Sequence, residues 1–180
     1  FHRDLLSSDY EKILLMNTLL FRGDYRVVTK KIKQYSLGKD NLYFFYRSII
    51  LPWELEWANQ KFLVAQGDLN EYCQKQKLSI KSFPSIDQLR ESIVEEFESE
   101  KKMYSGILWF VRRESKPKDI LRHLRNCFAH GNFTKNQKNG SPCIVIENFD
   151  KNQIKAKGFL PVDKLRGLVC AASSCESKSK

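Results

Sequence analysis

Apolar residues recur along this chain at the intervals of a helix, and that recurrence constrains its fold more than any other feature. Ile86, Leu89, Ile93, Phe97 and Tyr104 mark one such face, with Asp87, Glu91, Glu95, Glu96, Glu98 and Glu100 on the solvated side. The spacing predicts a helix opened by Pro84 and continuing to Arg113. Earlier, Ile13, Leu14, Leu19 and Leu20 mark a helix that starts after Ser7 to Asp9, and Tyr25 to Tyr35 a shorter one. After a break at Gly38-Lys39-Asp40, an apolar helix is expected from Asn41 to about Gln66, kinked at Pro52 and ended by Gly67-Asp68. Tyr43, Phe44, Phe45, Tyr46, Trp53 and Trp57 lie on it at a density that fits a core better than a base-stacking platform.

Further on, Lys116-Pro117-Lys118 makes a turn, and a helix is expected from Asp119 to His130, stopped by a left-handed Gly131-Asn132. The pattern then changes. Cys143 to Glu147 and Gln153 to Phe159 are short runs between turn residues, which predicts a β-hairpin over about 143–159. Val162 to Ala172 returns to helical spacing before a polar tail. At 180 residues the expected architecture is one mainly α domain over 1–175, with the hairpin, a last helix and a tail at 176–180.

Charge and cysteine narrow the class of partner. The 31 Lys+Arg against 21 Asp+Glu give a formal charge of +10, a field that attracts polyanions such as nucleic acid. The five cysteines form no CxxC pair, so a zinc site is not expected and reduced thiols in the cytoplasm are. No secretory signal is visible, although residues upstream of Phe1 are left open. The run from Leu42 to Trp53 is broken by Arg47 and Pro52 and is too short to span a bilayer.

The stretch RHLRNCFAHGNF, Arg122 to Phe133, carries the chemistry. On a helix turning about 100° per residue, Leu121, Leu124, Cys127 and Phe128 share the apolar face, while Arg122, Arg125, Asn126 and His130 occupy the rest. Asn126 and His130 are four apart and can touch; Arg125 lies about 140° around from His130. Arg125 must therefore reach across, or a second chain must complete the site, and Ala129 is small enough to let another backbone approach. Imidazole is a proton acceptor that works near neutrality. Guanidinium is a fixed cation that offers paired donors for a phosphate. The plainer reading is a helix C-terminus complemented by basic side chains. His123 reads as a solvated or satisfied helix residue.

Arg125-Asn126-Cys127-Phe128-Ala129-His130-Gly131 resembles the R-x4-6-H motif of the HEPN superfamily in its RNxxAHG form. The resemblance implies an up-and-down helical bundle that dimerises so that two motifs meet across a cleft. It also implies a metal-independent endoribonuclease without cofactor, in a toxin–antitoxin or defence setting, with an antitoxin or nucleotidyltransferase as possible partner. By that resemblance His130 would handle the proton, Arg125 the scissile phosphate, and Asn126 the orientation of either. Some toxin members carry a modified Tyr two residues after the His. Asn132 stands there, followed by Phe133, which weakens that form of control. Arg112, Arg113, Lys116, Lys118 and Arg122 lead into the motif and are the expected RNA contacts. Lys135, Lys138, Lys151, Lys155 and Lys157 on the hairpin could extend that surface as a flap. The alternative is a non-catalytic module that binds RNA or protein through the same basic surface.

Overall fold

A computed structural model describes residues 39–58 and 67–174. Among them the helices are α1 (Lys39–Phe45), α2 (Gly67–Lys75), α3 (Ile86–Glu95), α4 (Phe97–Met103), α5 (Lys116–His130) and α6 (Val162–Ser173). The strands are β1 (Leu78–Phe83), β2 (Gly106–Val111), β3 (Phe133–Lys138), β4 (Ser141–Asp150) and β5 (Gln153–Pro161). The strands form one sheet in the order β1-β2-β5-β4-β3, with β1 and β2 parallel and the other neighbours antiparallel.

This sheet corrects the expected mainly α bundle. The helix expected from Pro84 to Arg113 is broken three ways: α3 ends at Glu95, α4 at Met103, and Gly106-Ile-Leu-Trp-Phe-Val111 is a strand. The physical reason lies in the burial of β2. All six of its residues are buried, with Ile107, Trp109 and Val111 packed under α3 and α4, and Leu108 and Phe110 in the core with α5 and α6. A strand covered on both faces shows no alternation, so its apolar run extends a helical pattern without a visible seam. The hairpin expected over about 143–159 is present but longer, and it is welded into the sheet rather than appended to it.

Two smaller corrections concern the residues on either side of 59–66. From α1 the chain continues in π-helical turns at Tyr46–Ile50 and Trp53–Trp57, on either side of Leu51 and Pro52. Gly67, expected to end a helix, begins α2. The two helices expected before Gly38 and the tail after Ser174 lie outside the described residues.

Helix α5 ends at His130 as expected but begins at Lys116, so the expected Lys116-Pro117-Lys118 turn is its first turn. Pro117 sits in its first turn, where an amide donor is not needed, and Gly131 closes it at φ 62°, a left-handed conformation that glycine adopts cheaply. Ile120, Leu121, Leu124 and Cys127 are fully buried, and Phe128 stacks on Phe45 at 4.2 Å between ring centroids. Truncating a leucine buried in this way typically costs about 2–5 kcal/mol, so the apolar face pins the helix firmly. Its polar face is thereby held in one place over the end of the sheet.

Candidate active site

Where the polar side of α5 meets the tip of the β4–β5 hairpin, the surface opens into a cleft of about 330 Å³. Arg122, His123, Asn126 and His130 line it from the helix, and Arg113 from the turn before it. Asn148, Phe149, Asp150, Lys151 and Lys155 line it from the hairpin. Four cationic side chains thus surround a space whose lining contains one carboxylate, Asp150. Helical spacing is what brings Arg122, Asn126 and His130 to one side, each four residues from the next.

Arg122 is fixed from behind. Its Nη2 lies 2.7 Å from Oδ1 of Asp119, a fully buried carboxylate that also accepts from the amides of Arg113 and Glu114. Burial raises the Asp119 carboxyl above its ordinary range, opposed by the Arg113 amide and the Arg122 charge. The three bonds tie the β2–α5 turn to the helix, so Arg113 and Arg122 enter the cleft from a preorganised corner.

His123 is buried and locked. Its Nε2 is 3.2 Å from the Val111 carbonyl, which can only accept, so Nε2 carries the proton. The Asn148 amide then donates to Nδ1 at 2.9 Å. Burial, together with the nearby charge of Arg122, pushes the imidazole down to about 3. His123 is therefore neutral across the physiological range and its protons are committed. The other imidazole lining the cleft, His130, is half-buried.

Arg125 is placed differently from the motif residues around it. It does not line the cleft. Its Nε donates to Oε1 of Glu54 at 2.8 Å, Nη2 pairs with the same oxygen, and Nη1 donates to Oδ1 of Asn126 at 3.0 Å. Because guanidinium only donates, it engages the amide oxygen of Asn126 and leaves the NH2 as the end that faces other acceptors. Glu54 lies on the second π-helical turn, 71 residues away in sequence.

The expected RNA contacts divide. Arg113 and Arg122 are in the cleft; Arg112 is exposed beside it in sequence but outside its lining. Lys118 is 5% exposed, paired with Glu114 at 2.8 Å and within reach of the Ala58 carbonyl. Lys116 is outside the lining of the cleft, and its charge partly opposes the burial that raises the Cys73 thiol of α2. Among the hairpin lysines, Lys151 and Lys155 join the cleft, whereas Lys138 and Lys157 lie over the aromatic rings of Phe159 and Phe97. Asn148, Phe149 and Asp150 were not singled out from sequence; they fall between the two runs read as a hairpin. Phe133 is buried against Phe128, and Asn132 is half-buried with its amide on the Cys127 carbonyl.

Among the described residues no helix is long and apolar enough to cross a membrane. Residues 7–178 match a protein-family model described as HEPN pEK499 p136. No curated protein and no solved structure matches the chain significantly.

Proposed function

The chain belongs to the HEPN family, and from that premise we propose that it is a metal-independent endoribonuclease acting at the cleft between α5 and the β4–β5 tip. The observation that carries this reading is the meeting of His130 and Asn126 with Arg113, Arg122, Lys151 and Lys155 around one open space. His130 takes the proton of a ribose 2′-OH as that oxygen bonds to the adjacent phosphorus, and the bond to the 5′-oxygen of the next nucleotide breaks. The departing oxygen takes its proton from solvent water, and the proton on His130 is returned to solvent afterwards. Arg113 and Arg122 offset the charge that gathers on the phosphoryl oxygens, and the Asn126 NH2 donates to one of them. Arg125, engaged with Glu54 and Asn126, acts by holding that amide in its donating orientation. The two lysines of the hairpin track the flanking phosphates.

A homodimer joined near the end of α5 remains part of the proposal, as does a toxin or defence setting, but the chemistry above uses groups of one chain. The non-catalytic reading, a module that binds RNA or protein, draws on the engagement of Arg125 by Glu54, which keeps a motif cation out of the cleft.

Incubation with single-stranded RNA in EDTA tests the proposal. The expected products carry a 2′,3′-cyclic phosphate and a 5′-hydroxyl, and RNA methylated at every 2′-oxygen resists. His130→Ala lowers cleavage about 10²–10⁴-fold while still binding RNA. Cleavage of the methylated RNA, or its arrest by EDTA, would sink the mechanism. Binding without cleavage by the wild-type chain would favour the module.

A further inference from the structure

The tip of the β4–β5 hairpin departs from regular pairing at the point where it reaches the cleft. Register runs Asn148↔Ala156 and then Phe149↔Ile154, so Lys155 is the extra residue of a β-bulge. A bulge bends the strand that carries the extra residue, here β5, whose Lys155 lines the cleft. On β4, Ile144, Ile146 and Asn148 face α5. At the tip, Asn148, Phe149 and Asp150 all line the cleft.

Phe149 is also 48% exposed, although its side chain is large and apolar and its neighbour Asn148 is buried. Its backbone is not loose. Asn148 is buried and bonded to His123, and the turn beyond is closed by Lys151 and Asn152 at φ 48° and 63°, the left-handed pair of a tight hairpin. A rigid tip therefore presents an uncovered aromatic face beside Arg113, Arg122, Lys151 and Lys155. Cations that follow a phosphate backbone beside a ring that receives bases are the elements of a single-strand binding groove.

We propose that Phe149 is a base-stacking platform, which selects single-stranded over paired RNA and sets the base next to the phosphate held by the cleft cations. This rests on the ribonuclease reading and adds its specificity element. Phe149 is a positioning residue: it contacts a base and not the reacting atoms. A base inside a duplex already stacks on both faces and cannot reach it.

The experiment uses a fluorescent single-stranded oligoribonucleotide, 2′-O-methylated throughout so that it cannot be cut, with an abasic nucleotide scanned through each position. Phe149→Ala should weaken binding on the order of tenfold, while Phe149→Trp stays within about twofold of wild type on the same stacking grounds. One abasic position should weaken the wild type by a similar factor and leave Phe149→Ala unaffected. The dependence of affinity on salt should be the same in wild type and Phe149→Ala, since no phosphate contact is lost. Wild-type affinity in Phe149→Ala, or Phe149→Trp as weak as Phe149→Ala, overturns the platform and leaves the ribonuclease reading standing. Failure of the wild-type chain to bind the oligonucleotide overturns both.

Discussion

On one face of the sheet Ser79, Lys81, Glu96, Glu100 and Trp109 form a polar cluster whose groups all answer one another. Ser79 Oγ donates to Glu100 at 2.5 Å and accepts from the Trp109 indole at 3.3 Å, while Lys81 bridges Glu100 and Glu96 and lies over the Trp109 ring. On the other face, at the end of α5, Asp119 holds Arg122, but Arg113, Lys151 and Lys155 face a space lined by one carboxylate. Both clusters are polar and partly buried, and both contain hydrogen-bonded side chains at short range. The difference is closure. A polar network whose donors and charges are matched internally specifies packing. One that keeps a surplus of cations around an open cleft is electrostatically incomplete until an anion enters.

The comparison breaks most sharply in a crossed pair of substitutions. His130→Ala should lower cleavage by about 10²–10⁴-fold, the usual worth of a positioned acid–base group, with the melting temperature nearly unmoved. Glu100→Gln should do the reverse. Loss of the charge that Ser79 and Lys81 serve should cost about 1–3 kcal/mol, or several degrees in a chain of this size, with cleavage per folded molecule unchanged. Melting curves and initial rates on both variants check it. A Glu100→Gln chain as stable as wild type but slow to cleave would mean that the closed face is not merely structural.

The next expected effect sharpens the boundary between the two kinds of network, because His123 belongs to the closed kind although it lines the open cleft. Its folded pKa, about 3, lies below the ordinary value of 6.5. The sign follows: the unfolded chain binds the extra proton, so the stability is intact above about pH 6.5 and falls as pH drops through the interval toward 3. The slope approaches about 1.4 kcal/mol per pH unit for this one group. Asp119, raised by burial, contributes the opposite slope, and only as pH nears the carboxylate range. Urea midpoints from pH 7 to 5 should fall in wild type and fall less in His123→Gln. Equal slopes in the two chains would show that His123 is not the group being titrated.

Legibility in the sequence followed the range of the interactions. Helix α5 was readable because its signals are local: Pro117 at one end, Gly131 at the other, and an apolar face repeating between them. Asn126, His130 and Arg122 were readable for the same reason, being four apart on that helix. Strand β2 was not, because double burial erased the alternation that marks a strand, and β1, which pairs with it in parallel, depends on contacts 28 residues distant, as in Leu78↔Gly106. Polar β3, exposed at four of its six positions, carries no apolar signal and is held by β4 at the sheet edge. In the site, the pairing of Arg125 with Glu54 and the meeting of the β4–β5 tip with α5 are long-range events with no local trace. Lys118 looked like a phosphate contact because charge alone does not reveal burial.

The smallest expected effect concerns Arg125, which stands between the open cluster and a closed pair. Guanidinium donors Nε, Nη1 and Nη2 are engaged by Glu54 and Asn126. The Glu54 carboxylate is well exposed, so the pair is worth at most about 1 kcal/mol and Glu54→Gln should leave stability almost unchanged. Its effect on cleavage decides the role of Arg125. If Arg125 works by orienting Asn126, Glu54→Gln leaves the Nη1 bond in place and should alter the rate by less than about threefold, a difference under 1 kcal/mol. Arg125→Ala should then lower kcat with little change in RNA affinity, and adding Asn126→Ala should cost less than the sum of the two single losses, since both remove one device. If Arg125 instead serves a phosphate in a second copy of the chain, releasing it from Glu54 should raise the rate, and Arg125→Ala should weaken RNA binding. Mixing Arg125→Ala with His130→Ala chains would in that case restore activity, because one composite site would regain both groups. The contacts of Arg125 within its own chain favour the first outcome: no rescue on mixing, and a deficit confined to kcat.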